Sequence, residues 1–403
     1  MLKAVIFDMD GVLVDSEPQH ARAAVLALQS LGYQVTIDYC YGFIGSTTIH
    51  MLETMIKDYN ISLSSAELYE VYKETLNNLI KTEGYEPIPY TKDLILDLYH
   101  NGIKLAIASS STIKEITAVA EAFGIKEYFT KLISGTTVLH PKPAPDIFLK
   151  AAKELGVNPD ECIIVEDSYN GVCAANSAGI PVIGFVNEHS GNQDLSSASY
   201  LIEGFDEINT KYIKTIYLHT LNLPVTITET NRLIIKELTV DDIPALYQIY
   251  QNEEVKKYIP AISDTLEEEI EKHKSYIKSV YHFYGYGLWG IFDKNSGELM
   301  GKCGFTNSII NGKEVIEMGY MLDYNKWGCG YATECLHSIL RYAYDNLNIK
   351  DIVSVINTTN SRSIRTAERV GMKLDQTILK DGEEYVIYTI HNSEKSLPEL
   401  SLD

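Results

Sequence analysis

The chain has 403 residues, enough for two or three domains that each bury a hydrophobic core. Its formal net charge of −21 argues against nucleic acid as a partner, because phosphate backbones are bound by basic surfaces. No stretch reaches the ~18 apolar residues of a membrane helix, and the N-terminus lacks the pattern of a cleaved signal. The six cysteines show no CxxC pairing, as expected for reduced thiols. We therefore expect a cytoplasmic protein with no membrane or nucleic-acid partner.

The first half of the chain alternates short apolar runs with helical patterns. The runs do not alternate with polar residues, which is typical of parallel strands covered on both faces; they lie at 4–7, 103–108, 163–165 and 182–185. This pattern predicts a doubly wound, Rossmann-like α/β sheet. Between 15 and 85 only helical periodicity is found. We predict an all-helical insertion there, with a core built from 1–14 and 86–218.

A second domain is predicted to follow a linker at 219–228. Strands are predicted at 232–236, 287–292, 299–305, 315–322 and 352–356, and helices at 241–250, with Asp241 as the cap, 331–346 and 361–370. Residues 373–390 are predicted to form a hairpin that turns at Asp381 and Gly382. This order of elements predicts an α+β domain over 229–392. The tail, 393–403, lacks periodicity and is predicted to be disordered.

Four segments of the first domain carry groups suited to phosphoryl chemistry. Asp8 and Asp10 follow the first strand, where ligands bind in such sheets, and buried acids need a metal or an ionic partner. The other segments carry Ser109 and Ser110, then Lys142 between prolines, then Glu166 and Asp167. Taken singly, a lysine or serine of this kind is more often a surface residue or a helix cap. Together, the four segments predict a shared site.

These motifs and their spacing resemble the haloacid dehalogenase superfamily, and in particular its β-phosphoglucomutase-like phosphatases with a helical cap. The resemblance covers residues 1–218 and implies that Asp8 is the nucleophile that forms an aspartyl phosphate, with Asp10 as the general acid and base. It implies Mg²⁺ held by Asp8, the Asp10 backbone carbonyl, Asp167 and Glu166. It also implies that Ser109, Ser110 and Lys142 bind the phosphoryl group of a small phosphorylated metabolite.

The sequence leaves open whether the reaction is a phosphatase or a mutase reaction. In the resembled mutases a cap arginine binds a second phosphate, whereas the corresponding segment here, 43–48, ends in Thr48 and contains no arginine. His20 and Lys73 match cap positions of the mutases, although either could be a helix-surface residue. We expect a sugar-phosphate phosphatase, with a β-phosphoglucomutase-like mutase as the alternative.

A glycine-rich turn in the second domain leads into a long amphipathic helix. Such a turn can present backbone amides and a helix N-terminus to a diphosphate; its residues here are Trp327, Gly328, Cys329, Gly330, Tyr331 and Ala332. Asn360 and Ser363 follow the next strand. Together with Arg232 near the start of the domain, these motifs resemble the GNAT N-acetyltransferases of the ribosomal-protein type, over 229–392. A departure is Trp327, where Gln or Arg often opens the loop.

This second resemblance implies that the turn binds acetyl-CoA, with Asn360 and Ser363 near the pantetheine arm, and that an amine is the acetyl acceptor. Glu317 is the predicted base, and Tyr320 and Tyr331 are possible acids. Glu317 could equally be a strand-edge carboxylate satisfied by a neighbouring amide. Two hypotheses therefore remain: a bifunctional enzyme, or a phosphatase whose second domain only binds acyl-CoA.

Overall fold

The computed structural model describes residues 1–43, 48–259 and 262–391. The chain forms two compact units, Met1–Thr220 and Leu221–Asp403. The strands of the first unit are β1 Ala4–Phe7, β2 Lys104–Ser109, β3 Lys131–Ser134, β4 Cys162–Glu166, β5 Val182–Phe185 and β6 Tyr200–Ile202. Its helices are α1 Glu17–Ser30, α2 Ile37–Tyr41, α3 Thr48–Asp58, α4 Ser65–Glu83, α5 Thr91–His100, α6 Ile113–Ala122, α7 Asp146–Leu155, α8 Tyr169–Ala178 and α9 Thr210–Thr220.

The six strands of the first unit form one sheet in the order β3-β2-β1-β4-β5-β6, and every pairing is parallel. All residues of β1, β4 and β5 are buried. The predicted doubly wound sheet is thus confirmed, as are the four apolar strands. The sequence analysis missed β3 and β6, which are short strands at the two edges of the sheet. Because β1 is central, the residues that follow it lie in the middle of the sheet's carboxyl edge.

The insertion between β1 and α5 is all-helical in its described part, as predicted, and consists of α1 to α4. Its helices share a small apolar core that includes Leu28, Met55 and Leu68. Helix α4 begins at a capping box in which Ser64 and Glu67 bond to each other's backbone amides. The segment 43–48 is the one in which the sequence has no phosphate-binding arginine. Its residues 44–47 lie outside the described part of the chain.

Residues 210–220 form helix α9 of the first unit, which the sequence analysis did not predict. Ile213, Ile216 and Tyr217 of α9 are buried, and the Tyr217 hydroxyl donates to the carbonyl of Asp160 at 2.6 Å. Apolar residues of this helix recur every three to four positions and form one buried face. Polar and threonine-rich residues surround them in the sequence and make this helical pattern hard to recognise. The segment predicted as a linker, 219–228, contains the end of α9 and the start of the next strand.

The second unit consists of strands β7 Thr226–Glu229, β8 Leu233–Lys236, β9 Leu288–Asp293, β10 Leu299–Ile310, β11 Lys313–Leu322, β12 Asp351–Asn357, β13 Lys373–Lys380 and β14 Glu383–His391. Its helices are α10 Ile243–Tyr250, α11 Glu253–Lys256, α12 Leu266–Tyr276, α13 His282–Tyr284, α14 Tyr331–Asn346 and α15 Ser361–Arg369. The predicted strands and helices are confirmed with shifts of at most two residues at their ends, except that β10, predicted to end at 305, continues to Ile310. The sequence analysis missed β7 and the helices α11, α12 and α13.

These strands form one mixed sheet in the order β13-β14-β12-β11-β10-β9-β8-β7. The neighbours β11 and β12 are parallel and pair in register at Glu317 and Val353, whereas the other pairs are antiparallel. The hairpin of β13 and β14 turns at Asp381 and Gly382 as predicted, and both residues have positive φ. The predicted helix cap, Asp241, is wrong, because a box of Thr239 and Asp242 caps the preceding helical turn.

The tail, 393–403, lies outside the described residues. Within the described part of the chain, no helix has both the length and the apolar character that crossing a bilayer requires.

Replacing Ile213 by Ala should destabilise the first unit by about 2–5 kcal/mol, because the side chain is fully buried and its loss leaves a cavity. Lys214→Ala, on the exposed side of the same helix, is the control and should change stability by less than about 0.5 kcal/mol. Urea unfolding followed by circular dichroism measures the effect. Fluorescence of Trp289 and Trp327 identifies the transition of the second unit. An Ile213→Ala protein as stable as the control would contradict the packing of α9.

Candidate active sites

The carboxyl edge of the first sheet gathers charged side chains from three separate segments. Asp8 directly follows β1, Glu166 is the last residue of β4, and Asp167 comes next. Lys142 lies on the loop between β3 and α7. All four were predicted from the sequence to meet, and the structure brings them together.

Lys142 is the centre of this cluster. Its ammonium group donates to Asp8 Oδ1 at 2.6 Å and to Glu166 Oε1 at 2.5 Å. The side chains of all three residues are at most 8% exposed. The ammonium also lies 4.9 Å from the centre of the Phe148 ring. Because the lysine is held on two sides by charged bonds and on a third by an aromatic face, its position is fixed.

The donor set suits a divalent cation that binds oxygen. Carboxylate oxygens of Asp8, Glu166 and Asp167 lie within 4.8 Å of one another, and all three residues are buried. Burial raises the pKa of Asp8 to about 8; the Lys142 charge opposes this rise, and Glu166 and Asp10 add to it. Burial, with Glu166 and Asp8, also raises the pKa of Asp167. One ammonium thus leaves an excess of negative charge, which Mg²⁺ would neutralise.

Two glycines allow these carboxylates to approach the backbone. A Cβ atom on Gly171 would lie 1.7 Å from Glu166 Oε1, and one on Gly11 would lie 1.8 Å from Asp167 Oδ2. Gly11 also has a φ of +77°, which side chains other than glycine rarely adopt. Any larger residue at either position would displace a carboxylate of the cluster. Glycine is therefore required at positions 11 and 171, because the backbone there is in direct contact with carboxylates of the site.

Asp10 is held by hydroxyl groups rather than by the lysine. One carboxylate oxygen accepts a hydrogen bond from Ser16 at 3.2 Å, and the other accepts bonds from Ser109 at 3.2 Å and Ser111 at 2.8 Å. Ser109, predicted to bind phosphate, is fully buried and donates its hydroxyl proton to Asp10. Ser110 is exposed. The sequence analysis named neither Ser16 nor Ser111 as a site residue, although both lie beside predicted ones.

The cap contributes a second polar group. His20 and Tyr72 are hydrogen-bonded through Nδ1 and the hydroxyl, and the Tyr72 hydroxyl also bonds to Thr48. Burial lowers the pKa of His20, although Asp10 and Glu115 oppose the change. Lys73, in contrast, is exposed and lies 6.0 Å from the ring of Tyr69. The structure thus brings His20 and Thr48 together at Tyr72, which the sequence analysis missed, and leaves Lys73 outside.

An unpredicted carboxyl group also lies near the site. Burial, together with the charges of Asp10 and Asp15, raises the pKa of Glu17 to about 7. Glu17 begins the first cap helix, two residues beyond Asp15. Its charge also acts on Tyr72, the hydrogen-bond partner of His20.

The loop after β5 also reaches the cluster and was missed from the sequence. Ser190 donates its hydroxyl proton to Asp167 Oδ2, and Asn187 Nδ2 donates to the carbonyl of Gly11 at 2.9 Å. This loop follows another apolar strand, so the rule used for the other segments would have found it.

In the second unit, the glycine-rich turn ends at a helix with free amides. Gly328 and Gly330 have φ of +78° and +80°, and no side chain caps the N-terminus of α14. By contrast, the Asn360 side chain caps α15 by accepting from the amide of Ser363 at 3.1 Å. The first amides of a helix have no partner within it, so an uncapped start next to two glycines fits a diphosphate.

Residues outside the glycine-rich turn form hydrogen bonds and ring contacts with it. Arg232 donates to the carbonyl of Cys329 at 3.0 Å, and its guanidinium lies 4.3 Å from the ring centre of Tyr331. Trp327 donates through Nε1 to the carbonyl of Leu322 at 2.9 Å. Cys329 is exposed and Ala332 is partly exposed. The turn is thus rigidly placed, while part of its surface faces solvent.

Glu317 and Tyr320 lie on opposite faces of β11. Glu317 pairs in register with Thr306 and Tyr320 with Cys303, and residues an odd number of positions apart in a strand point to opposite faces. Glu317 accepts a hydrogen bond from the Ser308 hydroxyl at 2.6 Å, so its neighbour is a hydroxyl rather than an amide. The Tyr320 hydroxyl meets Ser363 Oγ at 3.3 Å. Burial raises the pKa of Tyr320, which keeps its proton available.

Comparison with known proteins gives a family for each part of the chain. Residues 5–185 match the model of the haloacid dehalogenase-like hydrolases, and residues 232–373 match that of the acetyltransferase (GNAT) domain. The fructose-1-phosphate phosphatase YqaB of Escherichia coli is 30% identical over 179 residues, which are 44% of this chain and 94% of that protein. A phosphorylated carbohydrates phosphatase of Thermotoga maritima is 32% identical over 184 residues, 44% of this chain and 82% of that protein.

Other matches also cover about half of the chain. Protein SUPPRESSOR OF QUENCHING 1 of Arabidopsis thaliana is 35% identical over 45% of this chain, but the match spans only 18% of that protein. The solved structure of CbbY from Rhodobacter sphaeroides with phosphate is 26% identical, with a TM-score of 0.47, and covers 53% of this chain and 100% of that one. The chain belongs to the haloacid dehalogenase-like hydrolases and carries a GNAT acetyltransferase domain in its C-terminal part.

Proposed function

We propose that the first unit is a Mg²⁺-dependent phosphatase that acts on a small sugar phosphate through an aspartyl phosphate on Asp8. The observation that carries this proposal is the buried Lys142, bonded to Asp8 and Glu166 amid three carboxylates. The relatives named as phosphatases of fructose 1-phosphate and of phosphorylated carbohydrates support the class of substrate. We further propose that the second unit transfers acetyl from acetyl-CoA to an amine.

In the first step, an Asp8 oxygen attacks phosphorus and the ester oxygen leaves with a proton from Asp10. In the second step, water attacks the phosphorus of the aspartyl phosphate and gives its proton to Asp10, which releases phosphate and restores Asp8. Lys142 binds the negative oxygens of the transferring group and reduces their repulsion of Asp8. Mg²⁺ held by Asp8, Glu166, Asp167 and the Asp10 carbonyl would supply further positive charge at this point.

A mutase is the second candidate for the first unit, and the charges of the cap disfavour it. A mutase must bind a second phosphate in the cap, yet the unpredicted group found there is the carboxyl of Glu17. Lys73 is exposed, and the segment 43–48 has no arginine. A carboxyl group close enough for the charge of Asp10 to act on it instead suits hydroxyl groups of a sugar, which can donate hydrogen bonds to it.

For the second unit, the amine nitrogen would attack the thioester carbonyl as Glu317 takes a proton from the nitrogen. The carbon–sulfur bond then breaks, and the thiolate leaves and takes up, directly or through water, the proton that Glu317 received, which gives free CoA and restores the Glu317 carboxylate. Glu317 is partly exposed, so an acceptor can reach it. Its bond to Ser308 fixes the direction of the carboxylate. The uncapped start of α14 supports binding of the diphosphate of CoA.

Asp8→Asn should abolish phosphatase activity, with a fall of more than about 10³-fold, because an amide is not a nucleophile toward phosphorus. Phosphate release from a set of sugar phosphates with Mg²⁺ measures this effect. Asp93→Asn, at an exposed position of α5, is the matched control and should keep full activity. Binding of CoA should be unchanged in both variants. Substantial turnover by the Asp8→Asn variant would refute the role of Asp8.

The wild-type protein should release phosphate from hexose 1-phosphates and form no isomeric hexose phosphate, even with added hexose bisphosphate. The reason is that no second phosphate site is found in the described part of the cap. Enzymatic assay of hexose 6-phosphate beside the phosphate assay distinguishes the two reactions. Isomerisation faster than phosphate release would establish the mutase alternative.

Glu317→Gln should slow acetyl transfer by about 10²–10⁴-fold while the dissociation constant of CoA stays within about twofold, because the change removes a base and no phosphate contact. Release of free thiol with a panel of amines is the measurement. Glu314→Gln, an exposed residue of the same strand, is the control. Unchanged turnover in the Glu317→Gln variant would show that this carboxylate is not the base. Binding of acetyl-CoA by the wild type without thiol release would favour the non-catalytic module.

A further inference from the structure

Three cationic side chains lie next to the glycine-rich turn of the second unit, and two of them are neutralised. Arg232 forms an ion pair with Glu334 at 2.5 Å. Lys326 forms an ion pair with Glu298 at 2.7 Å. The third cation, Arg362, forms no ion pair with a carboxylate among the described residues. Its charge is therefore the one beside the turn that remains uncompensated.

Arg362 is placed by the indole ring that opens the turn. It lies in the first turn of α15, and its guanidinium carbon is 4.8 Å from the ring centre of Trp327. Two contacts fix the indole itself. Its Nε1 donates a hydrogen bond to the carbonyl of Leu322, and its ring packs on Tyr324 with 5.0 Å between the ring centroids. A guanidinium over an aromatic face keeps its in-plane N–H groups free to donate. Because Trp327 directly precedes Gly328, the ring that holds Arg362 is itself part of the turn.

We propose that Arg362, held over Trp327, binds the diphosphate of CoA together with the backbone amides of the turn. The inference rests on the proposed binding of acetyl-CoA by this unit. A diphosphate carries at least two negative charges, and the free amides of α14 supply only partial positive charge. In a chain with a net charge of −21, a guanidinium with no carboxylate partner among the described residues gives a local attraction for an anion.

Isothermal titration calorimetry of the full chain with CoA and with 3′-dephospho-CoA tests the proposal. Arg362→Gln should weaken binding of both ligands by about tenfold or more, the effect of losing one charge-assisted hydrogen bond. Arg365→Gln removes the same charge from an exposed position of the same helix and should change either affinity by less than about threefold. Circular dichroism of each variant checks that the unit is folded.

Each outcome decides the question. Unchanged affinity of folded Arg362→Gln for both ligands overturns the proposal. A loss seen with CoA alone assigns Arg362 to the 3′-phosphate and overturns its role at the diphosphate. An equal loss in Arg365→Gln shows a general charge effect and also overturns it. If the wild type binds neither ligand, the proposed function of the second unit fails first.

Discussion

The first unit depends on one buried ammonium group. Lys142 is bonded to Asp8 and Glu166, and without it three carboxylates would be buried side by side with no positive charge among the described residues near them. Burying such charges without a partner is strongly unfavourable. Burial by itself lowers the pKa of Lys142, but Asp8 and Glu166 outweigh this and keep the pKa above its usual value. The lysine therefore stays charged, and it fixes the carboxylate of Asp8, the proposed nucleophile.

This arrangement explains why the nearby backbone tolerates so little change. Glu166 lies against Gly171 and Asp167 lies against Gly11, where any side chain would overlap a carboxylate oxygen. The loop after β5, more than 170 residues after Gly11, provides two further contacts. Ser190 donates a hydrogen bond to Asp167, and Asn187 donates one to the carbonyl of Gly11. The site is thus built from short contacts between loops that the parallel sheet places at one edge. The turn proposed to bind CoA in the second unit follows a similar rule, since its glycines leave backbone amides open and surrounding side chains hold the turn.

Much of the fold could be predicted because burial leaves a clear pattern in the sequence. β1 and β5 have the predicted bounds, since uninterrupted apolar runs are found where strands are covered on both faces. The strands β3 and β6 could not be predicted, because they are short edge strands with exposed or polar residues. Helix α9 was missed because only three of its side chains carry the apolar face. The meeting of Asp8 and Asp167 followed from topology, whereas the strand before Lys142, β3, was not predicted, and Lys142 was placed with them through the motifs they share with the resembled family.

The detailed hydrogen bonding of the site could not be predicted. Ser111 rather than Ser110 turns toward Asp10, and this choice depends on the path of the chain after β2. Tyr72 meets His20 only because α1 and α4 pack together in the cap. The central claim is that Asp8, Lys142 and the two acids after β4 share one metal and one phosphoryl group. A crystal structure with Mg²⁺ and beryllium fluoride tests it directly. The account predicts the fluoride adduct on Asp8, in contact with Lys142, beside a metal bound by Asp167; an adduct elsewhere, or a metal away from these carboxylates, would contradict it.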